Sequence, residues 1–409
     1  MNINVEYYPK LLQKGMQEYN ARIDANKSNW DPPFFTDTNS YIDFSEIQEK
    51  VNHFDQEKIE NLIVLGTGGS IQTLLALKHL AKKRLYPIMN SRTIELRECL
   101  KNTDPSNSLV IPISRGGETL DINSTIGLFK KNGYPMLGLS SQGIMYSILS
   151  KMGAPLLDVP DLSGRFAGSI SNVAIVPAML SGIDVHQFLT GLKEAYDVYM
   201  SSSINPAKEF ASFIYALYNI GFGTVFSMPY SLSLEGTVGL MVQEISESTG
   251  KDKKGMMGTY QSAPLCQHSV LEYLLGGKEK VALPVLWIVE NEEYSLILDS
   301  SIDYIRGNSA HKIINYQAAA TFQALIEEGI PSAMISVNDT KEKSIGNLVG
   351  FIQSSVYYLC LLLDVNWANN PKVIIGKKIC NEALINQKKF DELKQRRNEI
   401  ASESFKNYF

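Results

Sequence analysis

Several residue types in this 409-residue chain could carry chemistry, and they fall where strands and helices are expected to end. Gly66, Thr67, Gly68, Gly69 and Ser70 follow an apolar run and precede residues at helical spacing. Glycine there lets the backbone approach a ligand, and the following helix offers N–H groups and a positive dipole end to an anion. A tight structural turn accounts for these residues equally well. A dinucleotide fingerprint fits poorly: Ile71 stands where the third glycine belongs, and no acidic residue follows at the usual distance. Ser114, Arg115, Gly116, Gly117, Glu118 and Thr119 make a second glycine turn before a helix. Hydroxyls, N–H groups and a forked cation are what a phosphate monoester needs, and two such loops in one sheet point to a shared anion site at its carboxyl edge. Glu118 would repel that anion unless it points outward. An ordinary hydroxyl-capped helix is the competing reading.

Arg165, between Gly164 and Phe166, has the charge to steady a developing oxyanion. Gln243 and Glu247 are four apart and share a helix face. Glu247 falls in the last turn, where a carboxylate can be poised as the general base for a carbon acid. On spacing alone, Glu244 and Glu247 read as the solvated side of that helix. His268 is a residue type that shuttles protons near neutrality. Cys266, two positions earlier, invites a nucleophile reading, but no partner constellation supports it. Lys377 follows the strand-like run 373–375 and is either surface charge or a cation reaching a site. His53, His79, His186 and His311 lack metal-ligand spacing, and Cys99, Cys266, Cys360 and Cys380 form no CxxC pair or zinc-type cluster, so no metal is expected. Thiols this sparse fit a reducing, cytoplasmic compartment.

The elements that must position these residues alternate between short β-branched runs and longer amphipathic stretches, the pattern of an α/β protein with mostly parallel sheets. Strands are expected at 61–65, 85–89, 108–113, 135–139, 155–159, 223–228, 281–289 and 332–337. Helices are expected at 70–83, 120–132, 171–180, 185–200, 205–220, 233–248, 316–328, 347–363 and 387–406. The length implies two domains, and Ser201, Ser202 and Ser203 mark a boundary between comparable halves. The division is an N-terminal helical arm (1–44), a first domain (45–200), a second (201–385) and a C-terminal helix (386–409). The chain is 44% apolar and 20% charged, ordinary for a soluble globular protein. A net charge of -5, with no long run of either sign, argues against nucleic acid or an anionic membrane as partner. Residues 1–10 include Glu6 and lack an apolar stretch, so no signal peptide is expected. The apolar runs 281–289 and 356–363 are too short to span a bilayer.

Taken together and in order, these segments resemble the phosphoglucose isomerase family. The turn ending in Ser70 is similar to its first phosphate-side loop, and Ser114 through Asp121 stand where it has a serine-lysine loop rich in threonines. Gly164-Arg165-Phe166, with Val176-Pro177-Ala178 and Gly182-Ile183-Asp184, is similar to its glycine-arginine signature. Gln243, Glu247-Ser248 and Gly250-Lys251 resemble its glutamate motif, Gln267-His268-Ser269 its histidine motif, and Gly376-Lys377-Lys378-Ile379 its lysine motif. The resemblance implies two sugar-isomerase-type domains, each a doubly wound parallel sheet in an α-β-α sandwich with flanking helices. It implies a homodimer in which His268 reaches the neighbouring subunit's site. The implied reaction is isomerisation of glucose 6-phosphate and fructose 6-phosphate through a cis-enediol, a step of glycolysis and gluconeogenesis, with no cofactor. In that reading Ser70, Ser114, Arg115 and Thr119 hold the phosphate, with Gly69 and Gly164 among the substrate-binding positions. His268, assisted by Lys377, opens the ring, Glu247 moves the proton from carbon 2 to carbon 1, Arg165 stabilises the enediolate, and Gln243 orders the base.

The departures lie in the phosphate loop. Arg115 replaces the family's lysine, Glu118 a threonine, and Gly116 and Leu120 stand where relatives tend to have hydroxyls. The chain is also trimmed around 294–316. Two other readings therefore stay open, an isomerase of another aldose phosphate and a non-catalytic sugar-phosphate-binding regulator. The presence of Glu247, Arg165, His268 and Lys377 together disfavours the regulator, which would need only the phosphate loops.

Overall fold

A computed structural model describes residues 3–292 and 294–405. Its strands in chain order are β1 (Ile3–Tyr8), β2 (Asn61–Leu65), β3 (Arg84–Ile88), β4 (Ser108–Pro112), β5 (Gly138–Leu139), β6 (Leu156–Leu157), β7 (Thr224–Pro229), β8 (Met257–Tyr260), β9 (Ala282–Val289) and β10 (Ser332–Val337). β2 pairs in parallel with β3 on one side and β4 on the other. Bridges Val110–Met136 and Ile113–Leu139 carry the sheet on to the β5–β6 pair, giving the order β3-β2-β4-β5-β6. The direction of winding reverses between β2 and β4. Helices on the two sides diverge there and leave a crevice at the strands' carboxyl ends.

The residues explain the layering. In β2, Leu62 and Val64 face one core while Ile63 and Leu65 face another. A strand with side chains of period two and no polar face must be covered on both sides. The second sheet has the order β1-β10-β9-β7-β8, parallel except for β1, which runs antiparallel to β10. Leu283, Val285 and Trp287 of β9 join the same core as Leu62 and Val64, whereas Leu286 faces a separate cluster on the outer side. One core is thus shared by the two sheets.

The helix Glu342–Leu363 runs through that core. It is apolar and long enough to cross a bilayer by composition. It is longer than the 347–363 stretch expected, and residues 344–363 are all buried against protein. Helices Val185–Tyr199, Pro206–Asn219 and Leu232–Thr249 surround it. A helix apolar all round is what a fully enclosed position requires. Leu232–Thr249 also crosses Gln72–Leu77 closely. A Cβ on Gly236 would lie 2.0 Å from the Leu75 carbonyl oxygen, so this crossing needs glycine.

Most expected elements form, with differences of physical origin. The expected helix 70–83 shortens to Gln72–Leu77 between two 3-10 turns. The strand-like run 373–375 is instead the first turn of the helix Val373–Ile385: a β-branched run forms a strand only where a neighbouring edge can pair with it. The N-terminal segment expected to be helical opens with β1 before the helix Gln13–Asn26. The chain up to Ala368 forms one compact unit and Asn369 onward a second, containing the helices Val373–Ile385 and Gln387–Phe405. Lys406, the last position of the expected 387–406 helix, lies outside the described residues.

Candidate active site

The two glycine loops follow β2 and β4, so they flank the switch point of the first sheet. Ser114 is buried, and its Oγ lies 2.9 Å from Thr119 Oγ1. These two hydroxyls bracket the loop, and the helix Leu120–Lys131 starts directly after Thr119. Ser70 closes the 3-10 turn Gly68–Ser70 and is half-buried. Glu118 turns away: its Oε1 accepts the Ile144 N–H at 3.2 Å, capping the helix Gly143–Lys151. A carboxylate at that dipole end is favourable and leaves the loop mouth to an anion. Arg115 donates to the Leu162 carbonyl and lies 3.8 Å from the Asp161 carboxylate. It therefore ties the Ser114–Thr119 loop to the segment that leads into Arg165.

A second contact fixes that segment. A Cβ on Gly69 would fall 2.4 Å from the Gly164 carbonyl carbon and 2.5 Å from the Arg165 nitrogen. The two backbones touch only because position 69 is glycine; a Cβ on Gly164 would meet Gly69 at an ordinary 3.9 Å.

Arg165 is buried, and its guanidinium donates in every direction. Nε donates to Ser248 Oγ at 3.0 Å, one terminal nitrogen to Glu247 Oε2 at 3.1 Å, and the other to the Trp367 and Ala368 carbonyls at 2.8 and 3.2 Å. Gln243 donates to Glu247 Oε1 at 3.2 Å. The carboxylate is thus gripped at both oxygens, by the cation on one side and by the amide one helical turn earlier on the other. Its side chain keeps 25% exposure against 2% for Arg165, so the base faces outward while the cation behind it is dry. Fixed donors in a dry setting stabilise developing negative charge without reorganisation. Lys251 finishes the same helix by donating to the Ser248 and Asn366 carbonyls, and burial lowers its pKa to about 8.

Glu244 corrects the sequence reading. It lies inside rather than on a solvated side, on the face shared with Leu240, Met241 and Ser248. Its Oε1 accepts from Gln353 Nε2 at 2.9 Å, and the same amide nitrogen donates to the Arg165 carbonyl at 3.3 Å. Gln353 Oε1 accepts from Tyr196 and Ser169. Burial pushes the Glu244 pKa up to about 8, opposed by the Gln353 hydrogen bond and the Arg165 charge. Ser248, Gln353 and Glu244 were not among the expected site residues. The positions of Leu240 and Met241, four and three residues before Glu244, were the available signal for the last; nothing local marks Gln353.

His268 sits exposed at the end of the 3-10 turn Leu265–His268 and joins none of the hydrogen bonds around Arg165. Its neighbour Gln267 anchors the turn by donating to Tyr230, Gln317 and Thr321. Cys266 is buried, and burial raises its thiol to about 11, which makes it a poor nucleophile. Lys377 is exposed on the helix Val373–Ile385 of the second unit. A cleft of about 610 Å³ lined by Ser40–Phe44, Glu46, Ser141, Asp158–Pro160 and Asn172 contains none of the candidate residues.

The chain is similar to known proteins. It is 26% identical over 368 residues to the glucose-6-phosphate isomerase of Mycoplasmopsis pulmonis, covering 82% of this chain and 85% of that protein. It is 27% identical over 340 residues to the glucose-6-phosphate isomerase of Methanocaldococcus jannaschii, covering 78% and 83%. The chain is thus similar to glucose-6-phosphate isomerases over most of its length. The fold agrees: a crystal structure of a glucose-6-phosphate isomerase from Chlamydia trachomatis superposes with a TM-score of 0.80 at 16% identity, over 98% of this chain and 92% of that one. A hypothetical protein of Thermus thermophilus does so with a TM-score of 0.78 at 20% identity, over 90% and 94%. No family model matches the chain.

Proposed function

We propose that this protein is a cytoplasmic aldose–ketose isomerase that interconverts glucose 6-phosphate and fructose 6-phosphate. The observation that carries the reading is the pairing of Glu247 with Arg165, with Gln243 on the carboxylate's other oxygen. Moving a proton between adjacent carbons needs a base that serves both and a fixed positive charge for the enediolate between them. In this mechanism Ser70, Ser114, Arg115 and Thr119 hold the phosphate at the switch point, with the backbone close at Gly69 and Gly164. The ring opens by proton transfer from His268 of a second copy, assisted by Lys377. Glu247 takes the proton from carbon 2 and returns it to carbon 1, while Arg165 holds the enediolate charge. The two sheets are then the cores of two sugar-isomerase-type domains, 45–200 and 201–385, with β1 of the 1–44 arm completing the second sheet and the 386–409 helix following.

A homodimer follows from the same reading. The helix Val270–Gly276 packs Val270, Leu274 and Leu275 only partly against its own chain, and Tyr273 on it and Leu265 before it are exposed, a surface that a second copy would cover. A different aldose phosphate is the second reading, favoured by the ties of Arg115 to Leu162 and Asp161, which aim a fork where the relatives' lysine presents a point charge.

The test is a coupled assay of fructose 6-phosphate conversion, run beside proton exchange at carbon 2, for the wild type and Glu247→Gln. The wild type should turn over, and the variant should lose exchange by about 10²–10⁴-fold while still binding phosphosugar. Exchange at the wild-type rate in the variant would sink the assignment of the base. Exchange confined to another aldose phosphate would move the substrate, and binding without exchange on any would make the protein a regulator.

A further inference from the structure

Glu244 has no part in the mechanism above, yet it is a fully buried carboxyl group joined to the Arg165 main chain through Gln353. It is 1% exposed, and its Oε2 has no hydrogen-bond partner among the described residues. An ionised carboxylate left in that state would be a buried charge with one oxygen unpaired, whereas a carboxylic acid leaves only one unpaired neutral hydroxyl, the smaller cost. The partners of its other oxygen are fixed by chemistry. Gln353 Oε1 is occupied by the Tyr196 and Ser169 hydroxyls, so its amide must present both N–H bonds to Glu244 Oε1 and the Arg165 carbonyl. Glu244 and the Arg165 main chain are therefore two ends of one amide bridge, anchored on the helix Glu342–Leu363.

Resting on the isomerase reading, we propose that Glu244 is a positioning residue for Arg165 that supports turnover only in its neutral form, and that its ionisation closes the alkaline side of the activity. As the neutral acid it accepts from Gln353 and helps hold Arg165 where its guanidinium meets Glu247. Ionised, it places a second negative charge behind Arg165, weakening the positive charge available to an enediolate.

The charged and titratable groups that face it come from every neighbouring element. Arg165 lies on the helix Gly164–Ala167 and Glu247 on its own helix, and both act on it electrostatically. Tyr196 on Val185–Tyr199 and Cys360 on Glu342–Leu363 are coupled to it, and burial holds both in their neutral forms. Lys251 acts on Arg165 and Glu247 and titrates in a similar range to Glu244, near pH 8. It is the rival source of an alkaline limb.

The experiment is the pH dependence of kcat from about pH 6 to 10 for the wild type, Glu244→Gln and Lys251→Arg. The wild type should fall by about tenfold per pH unit above a limb near pH 8. Whatever the level of turnover, Glu244→Gln should move that limb upward by at least about one unit, while Lys251→Arg leaves it in place. Glu244→Leu removes the same titration if the glutamine variant fails to fold. A limb unchanged in both Glu244 variants, or one that moves with Lys251→Arg, overturns the proposal. Infrared difference spectra between pH 6.5 and 9.5 make a readout independent of turnover. A protonated-carboxyl band that disappears with rising pH and is missing from Glu244→Gln supports the neutral form, and its absence from the wild type overturns it. If the wild type isomerises no phosphosugar, the isomerase reading alone has failed, and this band still decides the state of Glu244.

Discussion

Replacing Arg165 with lysine keeps the positive charge beside Glu247 but removes the fork. The acceptors of the guanidinium include Ser248 Oγ, Glu247 Oε2 and the carbonyls of Trp367 and Ala368. An ammonium has three donors on a single atom and cannot reach acceptors on opposite sides of a planar group. If lysine stays with Glu247, the buried Trp367 carbonyl and the half-buried Ala368 carbonyl lose their partners. A stranded buried acceptor costs about 1–3 kcal/mol, so stability should fall by about that amount for Trp367 and by less for Ala368. Losing one fixed donor to a developing oxyanion costs about 10²–10³ in kcat. The contact belongs to the enediolate rather than the phosphate, so KM should change far less than kcat. Urea unfolding and steady-state assay of fructose 6-phosphate conversion measure the two effects on one preparation. Turnover within about threefold of wild type, in a variant destabilised as expected, would show that Arg165 is a structural clamp without a role in chemistry.

Arg115→Ala should weaken phosphosugar binding by about 10–100-fold, the worth of one charge-assisted hydrogen bond, and slow turnover less. A large fall in kcat at unchanged affinity, measured by calorimetry beside the assay, would contradict that. Gly69→Ala inserts a Cβ 2.4 Å from backbone and must push the Gly164–Arg165 segment by roughly 1 Å, a displacement that costs about 100-fold in rate; kcat within twofold of wild type would show that the contact is dispensable. Glu244 has its pKa raised from an ordinary 4.5 to about 8, so between these values the folded chain holds a proton that the unfolded chain has released. The stability this group contributes is full below pH 4.5 and is lost at about 1.4 kcal/mol per unit as pH rises to 8. The stability of Glu244→Gln relative to wild type should therefore climb by about 1.4 kcal/mol per unit between pH 5 and 8, and a flat difference in urea midpoints across that range would refute the shift.

Much of the site was legible in one dimension because its scaffolding is local. Gly66–Ser70 and Ser114–Thr119 could be placed at strand ends because glycine turns between a buried run and a helical repeat have few other uses. The four-residue spacing of Gln243 and Glu247 already placed the amide beside the carboxylate. The order of the motifs named the relatives.

What the chain alone could not decide were the outcomes set by distant neighbours. Arg165 and Glu247 are 82 residues apart, and only the packing of the Leu232–Thr249 helix against the first sheet's loops makes them a pair. Glu118 could repel a phosphate or cap a helix, and the choice was made by the Ile144 N–H 26 residues later. Residues 373–375 have strand chemistry but form a helix, since a strand needs an edge to pair with and a helix satisfies its backbone alone. β1 shows the converse, finding its edge at β10, more than 300 residues onward. Glu244 looked like surface because charged residues belong in water. It is buried because its helix phase turns it inward, and Gln353, Tyr196 and Arg165, drawn from three other helices, meet there to receive it. Sequence sets which groups can act and at what local spacing; burial and long-range pairing, which fix their protonation and partners, exist only once the chain has folded.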